Sequence, residues 1–225
     1  MGISFILSGV GTFGTGHETF ITDALTATDS GWRICSWHKV HELMQVGFYI
    51  TDVQLSTYDA CRAGGAIIAT GHQHQYSRTH LMSSFTNQTI LSTSSEISIG
   101  EGQTIAFVSG LGGHSVREEN PTRVADPWWA SVYTSTQSAQ FGALFCSFNY
   151  QSAANRAHCY FKDIGGVVTD EFDLMSQFAK TPAGVPTLSG QELALLAAAL
   201  LLSALLAQRW ATSARIAFLS MPDGE

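Results

Sequence analysis

Short apolar runs alternate with helix-spaced groups near the start of the chain. Ile3 to Val10 reads as a strand, and after a glycine-rich turn from Gly11 to Gly16 the segment His17 to Thr26 sets Phe20, Ile21, Ala24 and Leu25 on one helical face. Trp32 to Trp37 reads as a short buried strand that ends at His38. Leu55 to Ala63 predicts a second helix, closed by Gly64 and Gly65 where a C-cap glycine is expected, and Ala66 to Thr70 a further strand that runs into Gly71-His72-Gln73-His74. This is the strand, helix, strand rhythm of a parallel sheet with crossover helices, so the fold class is α/β. From residue 86 onward the pattern changes. Ile90 to Ile99 is rich in Ser and Thr, Thr104 to Ser109 is apolar, and Phe141 to Phe148, Ala157 to Phe161 and Val167 to Leu174 read as strands joined by short turns. An antiparallel extension of the sheet is the expectation for that half.

The periodicity stops near residue 175. Residues 1–175 form the expected domain, 176–190 a linker centred on the Pro- and Gly-rich Thr181 to Gly190, 191–210 an apolar helix and 211–225 a tail. Leu193 to Ala207 is Leu and Ala on every face with one Ser, and such a helix must lie in protein or in lipid because no face is solvated. At about 1.5 Å per residue it spans roughly 22 Å against a hydrocarbon core of roughly 30 Å. By length a buried core helix competes; its place after a linker favours a transmembrane anchor.

The composition supports a packed domain. Hydrophobic residues make up 45% of the 225, charged residues only 13%, and the net charge is -7. With Lys and Arg numbering 11, the chain lacks the clustered cations that phosphate neutralisation needs, so no nucleic-acid partner is expected. Four cysteines, Cys35, Cys61, Cys146 and Cys159, show no C-x-x-C spacing, and buried thiols are the ordinary reading. Cys146 and Cys159 fall in successive strands and can pair in an oxidising compartment, which spacing alone leaves open.

Eight histidines are present, and three of them fall where sheet geometry gathers ligands. His38 ends one short apolar strand, His72 and His74 follow another, and ligands in open α/β sheets collect beyond the carboxyl ends of the strands. Two histidines one residue apart can offer imidazole nitrogens to one metal or to two. The alternative is that all three merely cap strands.

Gly71-His72-Gln73-His74, continuing through Arg78, resembles the G-H-x-H signature of the calcineurin-like metallophosphoesterases, the superfamily that includes the purple acid phosphatases. Trp32-Arg-Ile-Cys-Ser-Trp-His38 resembles the strand that delivers that superfamily's isolated metal-binding histidine. Phe107-Val-Ser-Gly-Leu-Gly-Gly-His114 resembles a later glycine turn, and Phe141 to Phe145 with Tyr160 to Val168 its closing strands. The resemblance covers roughly residues 3–175, in the family's order. It implies a four-layer α/β/β/α sandwich holding two divalent or trivalent metal ions, zinc, iron or manganese, that activate water against a phosphate ester. His38 and His72 would ligate one metal and His74 the other, while Arg78 and His114 are candidates to touch the substrate phosphate or to serve structure alone.

The carboxylate motifs of the superfamily's first half, an Asp-x-His pair, a Gly-Asp-x-x-Asp and a Gly-Asn-His, do not occur in this sequence. The first residues read as a strand already under way and carry no secretory signal. The expectation is therefore the C-terminal half of a metallophosphoesterase, with an incomplete site and a sheet edge left unpaired, inactive on its own. The alternative is a non-catalytic surface-anchored β-rich binding module or a degenerate phosphoesterase. Val185-Pro-Thr-Leu-Ser189, followed by the apolar stretch and Arg209, is similar to bacterial sorting tails that begin Ile-Pro-Thr-Leu. That resemblance implies a sorting protease as partner and a membrane-anchored, extracytoplasmic or cell-surface location.

Overall fold

The computed structural model describes residues 2–179 and Gln191. The expected linker beyond Ala179, the apolar segment and the tail lie outside the described residues, Gln191 excepted. Among the described residues no helix is long and apolar enough to cross a membrane. In chain order the strands are β1 (Ile3–Leu7), β2 (Trp32–Trp37), β3 (Ile67–Thr70), β4 (Tyr76–Thr79), β5 (Leu81–Ser84), β6 (Thr89–Ser92), β7 (Glu96–Ile99), β8 (Ala106–Ser109), β9 (Trp129–Tyr133), β10 (Gly142–Phe148), β11 (Arg156–Asp163) and β12 (Val168–Ser176). Helix α1 spans His17–Ala27 and α2 spans Leu55–Ala63.

The six-stranded sheet runs β1-β2-β3-β8-β4-β9. Its first four strands are mutually parallel, as crossovers through α1 and α2 require, and β4 lies antiparallel between β8 and β9. α1 turns Ile21 and Leu25 inward, one residue pair four positions apart. Phe20, expected on that face, is 51% exposed, because the stripe that meets the sheet is narrower than the sequence pattern. α2 ends as expected: Gly65 takes φ 64° and the Ala66 amide donates to the Cys61 carbonyl. Both helices pack on one face of the sheet through Ile21, Leu25, Tyr58 and Cys61 against Ile6, Cys35, Trp37 and Ile68.

Of the later strands β8 and β9 join this sheet, β9 as its antiparallel border, but β7 and β10 to β12 do not extend it. Those four form a second sheet ordered β10-β11-β12-β7, whose inner face packs on the opposite side of the first. Ile97, Ile99, Ala157, Cys159, Phe172 and Leu174 meet Trp32, Ile67 and Ile105 there. An alternating strand looks the same in either arrangement, so the sequence pattern could not separate an added strand from a stacked sheet. The described residues thus form helices, sheet and sheet in three layers. At the border of the first sheet, β1 exposes Ile3, Phe5 and Leu7 at 39%, 61% and 67% while Ile6 packs inward.

All four cysteines are paired. Cys35 on β2 joins Cys61 on α2, and Cys146 joins Cys159 across β10 and β11. The thiol expectation for Cys35 and Cys61 is corrected by their packing, since a crossover helix laid over its own strand brings two inward-facing side chains together.

Candidate metal centre

β2, β3 and β8 are adjacent parallel strands, so the loops leaving their carboxyl ends share one rim of the sheet. His38 leaves β2; His72 and His74 lie in the loop from β3 to β4; His114 lies in the glycine turn after β8. Backbone hydrogen bonds tie these loops together. The Gly71 amide donates to the His38 carbonyl at 3.2 Å, and the Arg117 amide to the His74 carbonyl at 3.0 Å. Gly110 is needed for the closest approach, because a Cβ there would stand 1.7 Å from the Gln73 carbonyl oxygen.

The loop holds His72 at φ 64°, in the left-handed region, where a histidine is strained. In that pose its Nδ1 stands 3.0 Å from the Nε2 of His38, with the ring planes 86° apart. On its other side the ring of Tyr49 lies 4.3 Å away. His74 turns its Nδ1 to the Ser115 hydroxyl and faces His114, the ring centroids 4.9 Å apart. The four imidazoles are therefore two pairs on one rim, His38 with His72 and His74 with His114.

Burial lowers the pKa of His72, and the charges of His38, Lys39, Arg117 and His74 act in the same direction. Burial also lowers that of His74, helped by Arg117, His114 and His38. Both shifts favour the neutral ring, the form in which imidazole ligates a metal. Two nitrogens each about 2.0–2.1 Å from a tetrahedral ion stand roughly 3.3 Å apart, so the His38–His72 spacing accommodates one ion after a small adjustment. The donor set does not fit two. Among the described residues no three His, Cys, Asp or Glu side chains are gathered to hold a metal ion, and no carboxylate stands between the imidazole pairs.

Arg78 is placed elsewhere. It is 4% exposed on β4, its guanidinium bound by both oxygens of Asp170 from the second sheet and laid over the Phe172 ring at 4.1 Å. Its role in the structure is inter-sheet packing. Three site neighbours escaped the sequence reading: Tyr49, Ser115 and Arg117. Arg117 follows His114 closely in the same turn, and Phe48, Tyr49 and Ile50 form an apolar run beyond His38, which are the signals that could have marked them. Gln73 and Gln75 flank His74, both buried, with amide atoms that have no hydrogen-bond partner among the described residues.

Among solved structures, the purple acid phosphatase PPD1 from yellow lupin (Lupinus luteus) seeds superimposes with a TM-score of 0.62 at 18% identity, covering 82% of this chain and 34% of that one. The fold is shared with a purple acid phosphatase. PhoD aligns at a TM-score of 0.42 and 11% identity over 76% of this chain and 36% of its own. The chain thus spans about a third of the length of each of these two proteins. No protein-family model and no curated protein matches the sequence. The phosphatase-like fold places the rim described above at the carboxyl ends of its parallel strands, with the imidazole pairs on it.

Proposed function

We propose that the chain carries the imidazole part of a metallophosphoesterase centre, working on phosphate esters. One observation carries this reading: His38 and His72, from adjacent strands of a phosphatase-like fold, bring ring nitrogens within 3.0 Å of each other on the ligand-gathering rim. His38 and His72 would hold one cation; His74, steadied through Ser115, is a single donor that would hold a second only with ligands from outside this sequence. A divalent or trivalent cation held there would supply Lewis-acid activation of the ester and of water. The chain's own residues would position the His72 ring and the ester: Tyr49 packs against that ring, the left-handed backbone of His72 sets its direction, and Arg117 would offer a guanidinium to phosphate oxygens. Further carboxylate ligands would have to come from outside this sequence, and the four-layer sandwich would be completed there.

The two disulfides support a location in an oxidising compartment. Anchoring through the apolar segment 191–210, and processing by a sorting protease at Val185-Pro-Thr-Leu, belong to the same proposal. A second reading, a non-catalytic module on the same fold, is favoured by the lack of a gathered three-ligand group among the described residues. Metal analysis separates the two. The phosphoesterase reading expects the purified chain to take up one zinc or manganese per molecule and to lose it in His72→Ala; uptake well below one, unchanged by the substitution, establishes the module instead.

A further inference from the structure

Beside His72 the rim opens into a cavity of about 350 Å³ lined by Phe48, Tyr49, Gln73, Arg117 and Glu118. Its walls differ in chemistry. Phe48 is 59% exposed and Ile50, two residues on, is 77% exposed, an unusual display of large apolar side chains next to a polar cluster. The segment is nonetheless held in place: buried Gln45 receives the Gly47 amide at 2.8 Å and donates to the Tyr49 carbonyl, and the Asn120 amide donates to Val46. On the facing wall Arg117 makes no ion pair among the described residues, although Glu118 follows it. Gln73, 1% exposed, leaves its amide nitrogen without an acceptor. A buried donor left unpaired costs about 1–3 kcal/mol.

A wall carrying two aromatic rings and a guanidinium without an ion pair among the described residues together suit one ligand chemistry. We infer that this cavity is the leaving-group subsite and that it takes aromatic phosphate esters, the ring against the Phe48 and Tyr49 wall and the phosphate toward Arg117 and the imidazoles. The inference rests on the phosphoesterase reading and names its substrate class. The volume admits a single ring with its phosphate. Glu118 at the mouth disfavours additional negative charge on the leaving group.

Amide NMR titrations of the metal-free chain with phenylphosphonate and methylphosphonate test it without turnover or metal. Phenylphosphonate is expected to bind roughly tenfold more tightly. Phe48→Ala should abolish that preference while leaving methylphosphonate binding intact, and Arg117→Gln should weaken both probes. Equal affinities in the parent chain, no binding of either probe, or a preference that survives Phe48→Ala overturns the inference. Failure of the phosphoesterase reading shows separately, as absent metal uptake at His38 and His72, which these titrations do not use.

Discussion

Arg78 on the six-stranded sheet and Asp170 on the four-stranded sheet close a two-pronged ion pair, 2.7 Å from Nε to Oδ2 and 2.8 Å from a terminal nitrogen to Oδ1. Tyr76 donates its hydroxyl to the same carboxylate at 2.6 Å. All three side chains are buried between the sheets. Removing one partner leaves the other charge unpaired in the interior. Asp170→Ala is expected to lower stability by about 3–5 kcal/mol in urea unfolding. The double change Arg78→Met with Asp170→Leu should restore much of it, because no orphaned charge remains.

The backbone of His72 separates strain from side-chain function. His72→Ala keeps a Cβ at φ 64°, whereas His72→Gly removes the strain along with the ring. The glycine variant is expected to be more stable than the alanine variant by about 1 kcal/mol, read from their denaturation midpoints. Equal midpoints would show that the loop relaxes once the imidazole is gone.

Gly110 tests whether the rim depends on backbone contact. A methyl group there meets the Gln73 carbonyl with no flexible side chain to give way. Gly110→Ala should cost about 2 kcal/mol or more and shift the amide resonances of Gln73 to Gln75, whereas the same change at Gly112, open to solvent, should cost far less.

The disulfides close loops of different length, 26 residues apart for Cys35–Cys61 and 13 for Cys146–Cys159. On chain-entropy grounds the longer loop contributes about 0.6 kcal/mol more. Replacing each pair with alanines and comparing urea midpoints checks that order; reduction of both with dithiothreitol should lower stability by several kcal/mol, roughly 2–4 per bridge.

His41 gives the fold an acid-sensitive component. Burial lowers its pKa, against the opposing charge of Glu42, and its Nδ1 accepts the Leu43 amide at 2.9 Å. The unfolded chain therefore binds the proton first. Its contribution is fully present above about pH 6.5 and is lost as pH falls below that value. His72, His74 and His80 are lowered in the same direction and add to the slope. Urea midpoints between pH 7.5 and 5 should fall, and less steeply in His41→Asn, whose side-chain oxygen can keep the cap.

The parts of the fold written in apolar periodicity were legible. α2, β2 and the strands β10 to β12 follow from spacing, and His38, His72 and His74 from their place at strand ends. β4 was not legible, because Tyr-Ser-Arg-Thr reads as a polar loop; its burial becomes tolerable only through Asp170, ninety-two residues beyond Arg78. Cys35–Cys61 was hidden for a similar reason, since the pairing depends on how α2 lies over β2. Arg117 and Tyr49 reach the imidazoles through loop geometry, which no local pattern encodes.

β7 enters the second sheet from the middle of the sequence and pairs in parallel with β12, Glu96 opposite Asp173. The border of that sheet is thus supplied by a strand made long before the other three, and it must wait for them. Such distant pairing is entropically slow to close, so acquisition of the native state should be late and concerted rather than stepwise along the chain. A piece beginning at β10 would inherit three strands, lack their neighbour, and have no means of becoming a module in its own right.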